Sequence, residues 1–332
     1  MTLAATMHQI TLREPGNADK MHLTQAPVPQ LHGGQVLIRV TASGVNRADL
    51  LQRAGKYPPP AGASDILGLE VSGEIAAAGE GVTAWKVGDT VCALLSGGGY
   101  AEYAVAEAAL CLPIPEGVSM TDAAGLPEAT FTAYSNLVMA AKLHADEWIL
   151  IHAGASGVGV MAIQLARALG AHVITTVSSA EKQHFCAALG ADLAINYSHD
   201  DFVSKVIAHT HGIGVQVILD MIGGATTERN LELLATNGRM VIIACPEGPY
   251  TQLRLTTLMQ KRLQVIGTTL RSRPLAEKVA IAAAVREQVW PLFASGKIKP
   301  VTYQQLKLSE APVAHRILES RQHIGKIVLT AG

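Results

Sequence analysis

A glycine-rich turn between an apolar strand and an amphipathic helix constrains the fold of this chain more than any other feature. The segment from Ile149 to Gly170 reads ILIHAGASGVGVMAIQLARALG. Gly154, Gly157 and Gly159 let the backbone turn tightly and come close to a pyrophosphate, while the free N–H groups of the helix face the anion. A second strand is predicted from His172 to Val177. The pattern favours a dinucleotide-binding unit over a tight turn that binds nothing.

The residues after the second strand indicate which dinucleotide is bound. Ser156 replaces the middle glycine of the usual G-x-G-x-x-G pattern, so the surrounding strand and helix must support the assignment. NAD enzymes tend to place an acid about 20 residues after the glycines, but this strand ends at Ser178 and Ser179. We predict that Ser178 opens a helix, with Glu181 as its capping-box partner. Lys182 can then turn toward a 2′-phosphate, which favours NADPH over NADH; the alternative is a solvated surface lysine.

Composition excludes several functional classes. The chain has 332 residues and a net charge of −1, without a basic run, so it lacks the charge of a nucleic-acid-binding protein. No uninterrupted apolar run reaches the roughly 18 residues needed to span a bilayer. We therefore expect a soluble cytoplasmic protein with neither a membrane nor a nucleic acid as partner.

The cysteines predict no covalent or metal framework. Cys92, Cys111, Cys186 and Cys245 are far apart, and no C-x-x-C pair is present. Neither a disulfide scaffold nor a zinc knuckle is indicated. We expect four small buried side chains in a reducing compartment.

The pattern of apolar residues and turns changes twice along the chain. Short apolar alternations with glycine and proline turns predict a β-rich domain over residues 1–126. Alternating strands and helices predict a doubly wound parallel sheet over residues 127–267, with strands at Val215–Met221 and Arg239–Ala244. Residues 268–332 carry a predicted helix at Leu275–Phe293 and a strand at Lys326–Leu329, too little to fold alone. This tail is expected to return to the first domain.

Six segments resemble one family. They read SGVNRADLLQRAGKYPPP from Ser43, ILGLEVSG from Ile66, GDTVCALLSGGGYAEY from Gly88, IHAGASGVG from Ile151, AINY from Ala194 and IGKIVL from Ile324. Together they resemble the medium-chain dehydrogenase/reductases, and among them the zinc-free NADPH:quinone oxidoreductases of the zeta-crystallin type and the p53-inducible branch. The resemblance implies an α/β fold, with a Rossmann domain and a GroES-like β-rich catalytic domain separated by a cleft.

The zinc ligands of the related alcohol dehydrogenases are missing. Where those enzymes carry cysteine within S-G-V-C-H and histidine within G-H-E, this chain has Asn46 and Leu69. An amide and an alkyl group cannot hold zinc with useful affinity, so we expect no metal. Glu70 survives from the G-H-E motif and is expected to pair with an arginine or a backbone amide.

The resemblance implies site residues in both domains. Asn46, Asp49 and Tyr57 are expected beside the nicotinamide and the substrate as catalytic candidates. Asn46 would donate to a developing oxyanion and Tyr57 would contact the acceptor. The alternatives are an asparagine that holds a turn and a tyrosine with a buried ring. The implied cofactor residues are Asn46, Thr132, Gly154, Ser156, Gly157, Val158, Gly159, Ser178, Ser179, Lys182, Tyr197, Met221, Gly223, Gly224 and Arg321.

The expected roles of the cofactor residues differ. Thr132 would contact the nicotinamide, and Met221–Gly224 would approach the ribose and the pyrophosphate. Tyr197 and Arg321 would join Lys182 near the adenosine phosphate. These roles are carried over from the family.

The function hypothesis is zinc-independent reduction of quinones, or of a conjugated carbonyl compound, by hydride from NADPH. The alternatives are a 2-enoyl or alkenal double-bond reductase and an NADPH-binding protein with little turnover. A homodimer is expected, with a tetramer as the alternative. The apolar strand Arg239–Ala244 is the expected edge at which two sheets pair.

Overall fold

The computed structural model describes residues 4–331. The chain divides into a β-rich unit, Met1–Phe131 with Arg271–Gly332, and a parallel-sheet unit, Thr132–Leu270. The change from one unit to the other falls within a helix, Pro127–Tyr134. The domain limits inferred from sequence, 1–126, 127–267 and 268–332, stay a prediction.

The first part of the β-rich unit consists of short strands joined by tight turns. Its longest strand, β3, is buried on both faces over much of its length and bonds to strands on both sides. The strands are β1 (Thr6–Leu12), β2 (Met21–Pro27), β3 (Gln35–Val45), β4 (Glu70–Ala78), β5 (Thr90–Leu94), β6 (Tyr103–Glu107) and β7 (Cys111–Pro113). The helices are α1 (Arg47–Arg53), α2 (Met120–Ala123) and α3 (Pro127–Tyr134).

The parallel-sheet unit alternates strands and helices. Its strands are β8 (Trp148–Ile151), β9 (His172–Val177), β10 (Leu193–Asn196), β11 (Val215–Asp220), β12 (Leu234–Ile242) and β13 (Gln264–Gly267). Its helices are α4 (Gly157–Ala168), α5 (Ala180–Leu189), α6 (Phe202–His209), α7 (Gly224–Leu233) and α8 (Leu255–Lys261). The strands pair in parallel in the order β10-β9-β8-β11-β12-β13. The predicted doubly wound sheet is confirmed.

The strand order has two consequences. The chain runs outward from β8 to β10 and then crosses back to β11, so the order reverses between β8 and β11, where ligands of such sheets bind. The expectation that Arg239–Ala244 is an edge strand is wrong. β12 bonds to β11 on one side and to β13 on the other, and β10 and β13 form the edges.

The C-terminal tail completes the β-rich unit. It contains α9 (Leu275–Gln288), α10 (Trp290–Ala294), β14 (Thr302–Lys307), α11 (Ala311–Ser320) and β15 (Lys326–Thr330). The predicted single helix Leu275–Phe293 is broken, because Pro291 has no N–H and its ring crowds the carbonyl four residues earlier. β15 pairs antiparallel with β3, with Ile327 opposite Val45. Lys326 is thereby brought to the end of β3.

Two further observations bear on the sequence-based expectations. Cys92, Cys111 and Cys186 are buried as expected, whereas Cys245 is exposed in the loop after β12, so the expectation is wrong for that residue. Across residues 4–331, the helices are too short or too polar to cross a bilayer.

Candidate active site

Ser156 caps the helix that follows the glycine-rich turn. Its Oγ accepts a hydrogen bond from the backbone N–H of Gly159 at 3.0 Å, and α4 begins at Gly157. Gly157 and Val158 form the first turn, whose N–H groups have no partner within the helix. The serine at the middle-glycine position thus supports the helix N-terminus, where an anion would bind.

Two glycines of this turn leave no room for a side chain. A Cβ on Gly154 would lie 2.0 Å from Thr175 Oγ1, and one on Gly159 would lie 2.3 Å from the carbonyl oxygen of Ala153. Glycine at these positions therefore allows β9 and α4 to pack closely against the turn. Ala153 itself has a φ of 52°, which alanine rarely adopts.

The turn after β11 meets the glycine-rich turn. Ser156 Oγ lies 3.5 Å from Met221 Sδ, toward which it donates. Asp220, fully buried at the end of β11, shapes the Met221–Gly224 turn by accepting two of its backbone N–H groups at 2.8 and 3.0 Å. Its other oxygen accepts from Thr227 and Asn230. The predicted residues of the two turns are thus brought together at the point where the strand order reverses.

The helix after β9 begins one residue later than predicted. Ser179, not Ser178, is the N-cap of α5, and its Oγ accepts from the backbone N–H of Lys182 at 3.3 Å. The capping box between Ser178 and Glu181 is therefore wrong, because Ser179 has the extended backbone that an N-cap requires. Lys182 is largely buried, and desolvation lowers its pKa.

Tyr197 lies beside the same strand end. Its backbone N–H donates to the carbonyl of Val177 at 3.1 Å, and its side chain is half exposed. Ser198 Oγ donates to the carbonyl of Ser178, which ties the two loops together. Ser178, Tyr197 and Ser198 thus lie together at the end of β9.

Thr132 lies in α3, just before a π-helical segment, Ser135–Ala140. Its carbonyl accepts from Ser135 Oγ at 3.3 Å and from Asn136 Nδ2 at 2.7 Å. Within residues 4–331, no hydrogen bond joins Thr132 to the glycine-rich turn. Its predicted contact with the nicotinamide stays a prediction.

In the β-rich unit, Asn46, Glu70 and Lys326 form a buried cluster, here called the Asn46–Glu70–Lys326 cluster. Asn46 Nδ2 donates to Glu70 Oε1 at 2.8 Å, and Lys326 Nζ donates to Asn46 Oδ1 at 2.7 Å and to Glu70 Oε1. Glu70 Oε2 accepts from the backbone N–H of Glu128 at 2.9 Å. The expected backbone-amide partner of Glu70 is confirmed, but its cationic partner is a lysine rather than an arginine.

Two glycines make space for this cluster. A Cβ on Gly44 would lie 2.2 Å from Glu70 Oε1, and one on Gly125 would lie 3.2 to 3.3 Å from three carbons of Lys326. A side chain at Gly44 would displace the carboxylate, and one at Gly125 would press on the lysine stem. The positions of Glu70 and Lys326 are thus fixed by the backbone around them.

Asp49 holds the loop that carries Asn46. Its carboxylate is fully buried and accepts from the backbone N–H of Asn46 at 2.8 Å, the backbone N–H of Gly68 at 3.0 Å and the hydroxyl of Tyr100 at 3.2 Å. Desolvation raises the pKa of Asp49 to about 6, although these hydrogen bonds oppose the rise. Asp49 therefore positions Asn46 and Gly68, and its direct part in catalysis stays a prediction.

A chain of hydrogen bonds continues from Asp49 toward the surface. Tyr100 Oη lies 3.1 Å from His315 Nε2, and Arg53 Nη1 lies 3.2 Å from His315 Nδ1. Arginine can only donate, so Nδ1 accepts and the ring proton is on Nε2. Burial lowers the pKa of His315 to about 3, which keeps the ring neutral. Arg53 therefore donates to His315, His315 donates to Tyr100, and Tyr100 donates to the Asp49 carboxylate.

Tyr57 belongs to a second group, with Arg271 and Glu128. The Arg271 guanidinium carbon lies 5.6 Å from the centroid of the Tyr57 ring. Arg271 Nη2 and Nε donate to the carbonyl of Ser96 at 2.7 and 3.0 Å. Its Nη1 is buried and has no hydrogen-bond partner in the described part of the chain. Desolvation and the neighbouring Glu70 raise the pKa of Glu128 to about 8. Glu128 is therefore mostly an uncharged acid at neutral pH.

Arg321 ends α11 with a φ of 57° and lies in the β-rich unit. Burial and the nearby charge of Arg321 lower the pKa of Arg47. Two guanidinium groups are therefore close to each other at this surface. The proposed help of Arg321 with a 2′-phosphate stays a prediction.

Sequence reasoning missed three residues of these groups. Lys326 lies within a segment that matched the family, but its partners Asn46 and Glu70 are 280 and 256 positions away. Arg271 and Glu128 carried no local pattern. For Lys326, the signal that could have been followed is a single lysine at the start of an otherwise apolar strand.

The residues present do not fit a zinc ion. Zinc prefers thiolate, imidazole and carboxylate ligands. The two positions at which the related alcohol dehydrogenases carry cysteine and histidine ligands hold an amide at Asn46 and a buried alkyl group at Leu69. The remaining carboxylate, Glu70, is already paired with the Lys326 ammonium. Among the described residues, no three or more His, Cys, Asp or Glu side chains converge as a metal site would require.

Two family models match parts of this chain. The alcohol dehydrogenase GroES-like domain matches residues 32–116, and the zinc-binding dehydrogenase model matches residues 157–286. The quinone oxidoreductase of Rattus norvegicus is 32% identical over 97% of each chain. The structure of Escherichia coli quinone oxidoreductase complexed with NADPH has a TM-score of 0.86 at 31% identity, covering 97% of this chain and 99% of that one. CurK enoyl reductase has a TM-score of 0.86 at 27% identity, covering 98% and 99%.

Proposed function

The chain belongs to the quinone oxidoreductases of the medium-chain dehydrogenase/reductase superfamily, and from this premise we propose that it reduces quinones with NADPH and without zinc. The observation that carries the proposal is the Asn46–Glu70–Lys326 cluster. The Asn46 amide stands where the zinc enzymes that the sequence resembles carry a cysteine ligand, and it contacts the Glu70 carboxylate and the Lys326 ammonium. Such a group can orient polar atoms but cannot coordinate an alkoxide.

The choice of acceptor follows from this chemistry. Bound NADPH supplies a hydride. A quinone accepts hydride without Lewis-acid help, because the product is an aromatic hydroquinone anion. The protein must then mainly hold the reactants in register and exclude water. We assign the pyrophosphate to the N-terminus of α4 capped by Ser156, and the adenosine phosphate to Lys182 and Tyr197.

The structure alters one part of the sequence-based mechanism. The sequence predicts that Asn46 donates to a developing oxyanion, yet its Nδ2 already donates to Glu70 at 2.8 Å and to the carbonyl of Gly44 at 3.5 Å. At most one N–H therefore remains for a substrate oxygen. Tyr57, half-buried beside Arg271, stays the better candidate for contact with the acceptor ring.

Cofactor choice is tested by titrating the protein with NADPH and with NADH. Lys182→Ala should weaken NADPH binding by about tenfold, as expected for one lost charged contact, and should leave NADH unchanged. Lys205→Ala is the matched control, since Lys205 is an exposed lysine of the same unit paired with Asp200. Equal affinity of the parent protein for both dinucleotides would refute the NADPH assignment.

Metal independence is tested on the same protein. Turnover of an ortho-quinone with NADPH should be unchanged after dialysis against a chelator, and metal analysis should find much less than one zinc per chain. Stoichiometric zinc together with loss of turnover on chelation would contradict the proposal.

A second candidate function is reduction of an enone or alkenal double bond. Glu128 favours it, because this reaction needs a proton at carbon and Glu128 is a largely uncharged acid at neutral pH. Comparing ortho-quinone and alkenal turnover separates the two functions. If Glu128 is the donor, alkenal turnover falls as the pH rises through about 8, and Glu128→Gln abolishes it. NADPH binding without turnover of either substrate would instead favour a binding protein.

A further inference from the structure

Lys326 combines features that stability does not explain. Its ammonium is buried with Glu70, and a buried ion pair of this kind adds little to stability compared with packed apolar side chains. The backbone nonetheless leaves space for both side chains at Gly44 and Gly125. A purely structural contact between β15 and β3 would not need a charge.

The cluster fixes the orientation of the Asn46 amide. Oδ1 accepts from the Lys326 ammonium, and Nδ2 donates to the Glu70 carboxylate. Turning the amide by half a rotation would place its NH₂ against the ammonium and its oxygen against the carboxylate. Both contacts would then be repulsive, so only one orientation is stable.

Lys326 also retains hydrogen-bonding capacity. An ammonium has three N–H donors, and within residues 4–331 hydrogen bonds join Nζ to two acceptor atoms, one on Asn46 and one on Glu70. Its side chain is 10% exposed, so the group is not wholly sealed from a bound molecule.

We propose that Lys326 is a positioning residue for hydride transfer, whose ammonium replaces a metal as the fixed cation and locks the Asn46 amide in one orientation. The inference rests on the proposed quinone reduction. Glu70 holds Lys326 in place, and Asp49 holds the backbone of Asn46. The second N–H of Asn46, which makes only a long contact of 3.5 Å with the Gly44 carbonyl, is the one that would turn to the reactants.

The test compares three variants. Lys326→Met keeps the length of the stem but leaves Glu70 buried without its cation, Lys326→Arg keeps the charge, and Glu70→Gln/Lys326→Met removes both charges. Lys297→Met, at an exposed lysine of the same unit, is the control. For each protein the kcat and KM for an ortho-quinone, the Kd for NADPH and the Tm are measured.

A positioning role predicts a specific pattern. Lys326→Met should lower both Tm and kcat, with kcat falling roughly 10- to 100-fold. The double variant should recover most of the Tm, because no unpaired charge remains buried, yet its kcat should stay low. The Kd for NADPH should change less than about twofold, and Lys326→Arg should restore part of kcat. A double variant with the kcat of the parent protein would show that Lys326 is only structural and would overturn the inference.

A readout independent of turnover separates this inference from the proposed function. The side-chain amide protons of Asn46, identified by their loss in Asn46→Asp, should exchange slowly in the parent protein and quickly in Lys326→Met. Unchanged exchange in Lys326→Met would overturn the positioning role even if quinone turnover is found. A parent protein that turns over no quinone would instead refute the proposed function, and the exchange measurement would still decide the role of Lys326.

Discussion

Asp49→Asn is expected to change stability in a way that depends on pH. The carboxylate accepts two hydrogen bonds at Oδ2, from Asn46 and Tyr100, and one at Oδ1, from the N–H of Gly68. Asparagine keeps one oxygen, which best replaces Oδ2. Its NH₂ group then faces the N–H of Gly68, and a buried donor without an acceptor costs about 1–3 kcal/mol.

A second effect opposes the first at neutral pH. The pKa of Asp49 is raised from 3.8 to about 6, so the folded protein disfavours the ionised carboxyl by about 3 kcal/mol. This carboxyl binds a proton in the folded state below about 6 and in the unfolded state only below 3.8. Its contribution to stability is therefore fully present below 3.8 and is lost as the pH rises through 6. Asparagine has no such loss.

The two effects predict the result of an unfolding experiment. At the acidic end of the range the variant should be less stable than the parent by about 1–3 kcal/mol. Between about pH 4 and pH 7 the difference should shift in favour of the variant by about 3 kcal/mol, so that the two proteins become similar or the variant becomes the more stable.

Urea unfolding at a series of pH values measures this difference. Trp85 and Trp290 lie in the same unit as Asp49 and donate to backbone carbonyls, so their fluorescence follows the unfolding of that unit. Asp65→Asn, at an exposed position, is the control and should give a small constant difference. A stability difference for Asp49→Asn that stays constant across the range would refute the reasoning.

Three further predictions concern the parallel-sheet unit. Gly154→Ala should weaken NADPH binding at least tenfold in a fluorescence titration, because its Cβ would lie 2.0 Å from Thr175 Oγ1, whereas Gly267→Ala, which has open space, should bind normally. A thiol reagent should modify one cysteine per native chain, and Cys245→Ser should abolish that reaction; labelling of a second thiol would contradict the burial of the others. Val265→Lys, on the short edge strand β13, should convert the expected homodimer to a monomer in light scattering, and an unchanged mass would remove β13 from the interface.

The local parts of the fold could be predicted from the sequence. The strand, turn and helix around Gly154 depend on neighbours within about ten residues, and their pattern is visible in one segment. The order of strands in the sheet is not local. The sequence does not predict the four-residue strand β13, and a sheet without β13 has β12 as its edge strand. Ser178 and Ser179 are the same residue type, so only the backbone conformation decides which of them caps α5.

The candidate site shows the same limit more clearly. The absence of zinc ligands at Asn46 and Leu69 could be read from the sequence, because each position can be judged alone. The contact between Lys326 and Asn46 could not be predicted from the sequence. It depends on the pairing of β15 with β3, two strands that are far apart in the chain. Sequence reasoning thus found the substituted zinc-ligand positions but not the cation that we propose acts beside them.

The proposed replacement of a metal by the Lys326 ammonium has a chemical consequence for the substrates. A divalent metal with an open position can bind a substrate oxygen directly and lower the pKa of an alcohol, so it activates a poor reactant. The Lys326 ammonium carries one charge, shares it with Glu70 and can only donate hydrogen bonds. It can orient an amide or weakly stabilise a developing anion, but it cannot ionise an alcohol. The proposed function therefore requires an acceptor that is electron-poor before it binds, and simple alcohols and unactivated ketones should not be turned over.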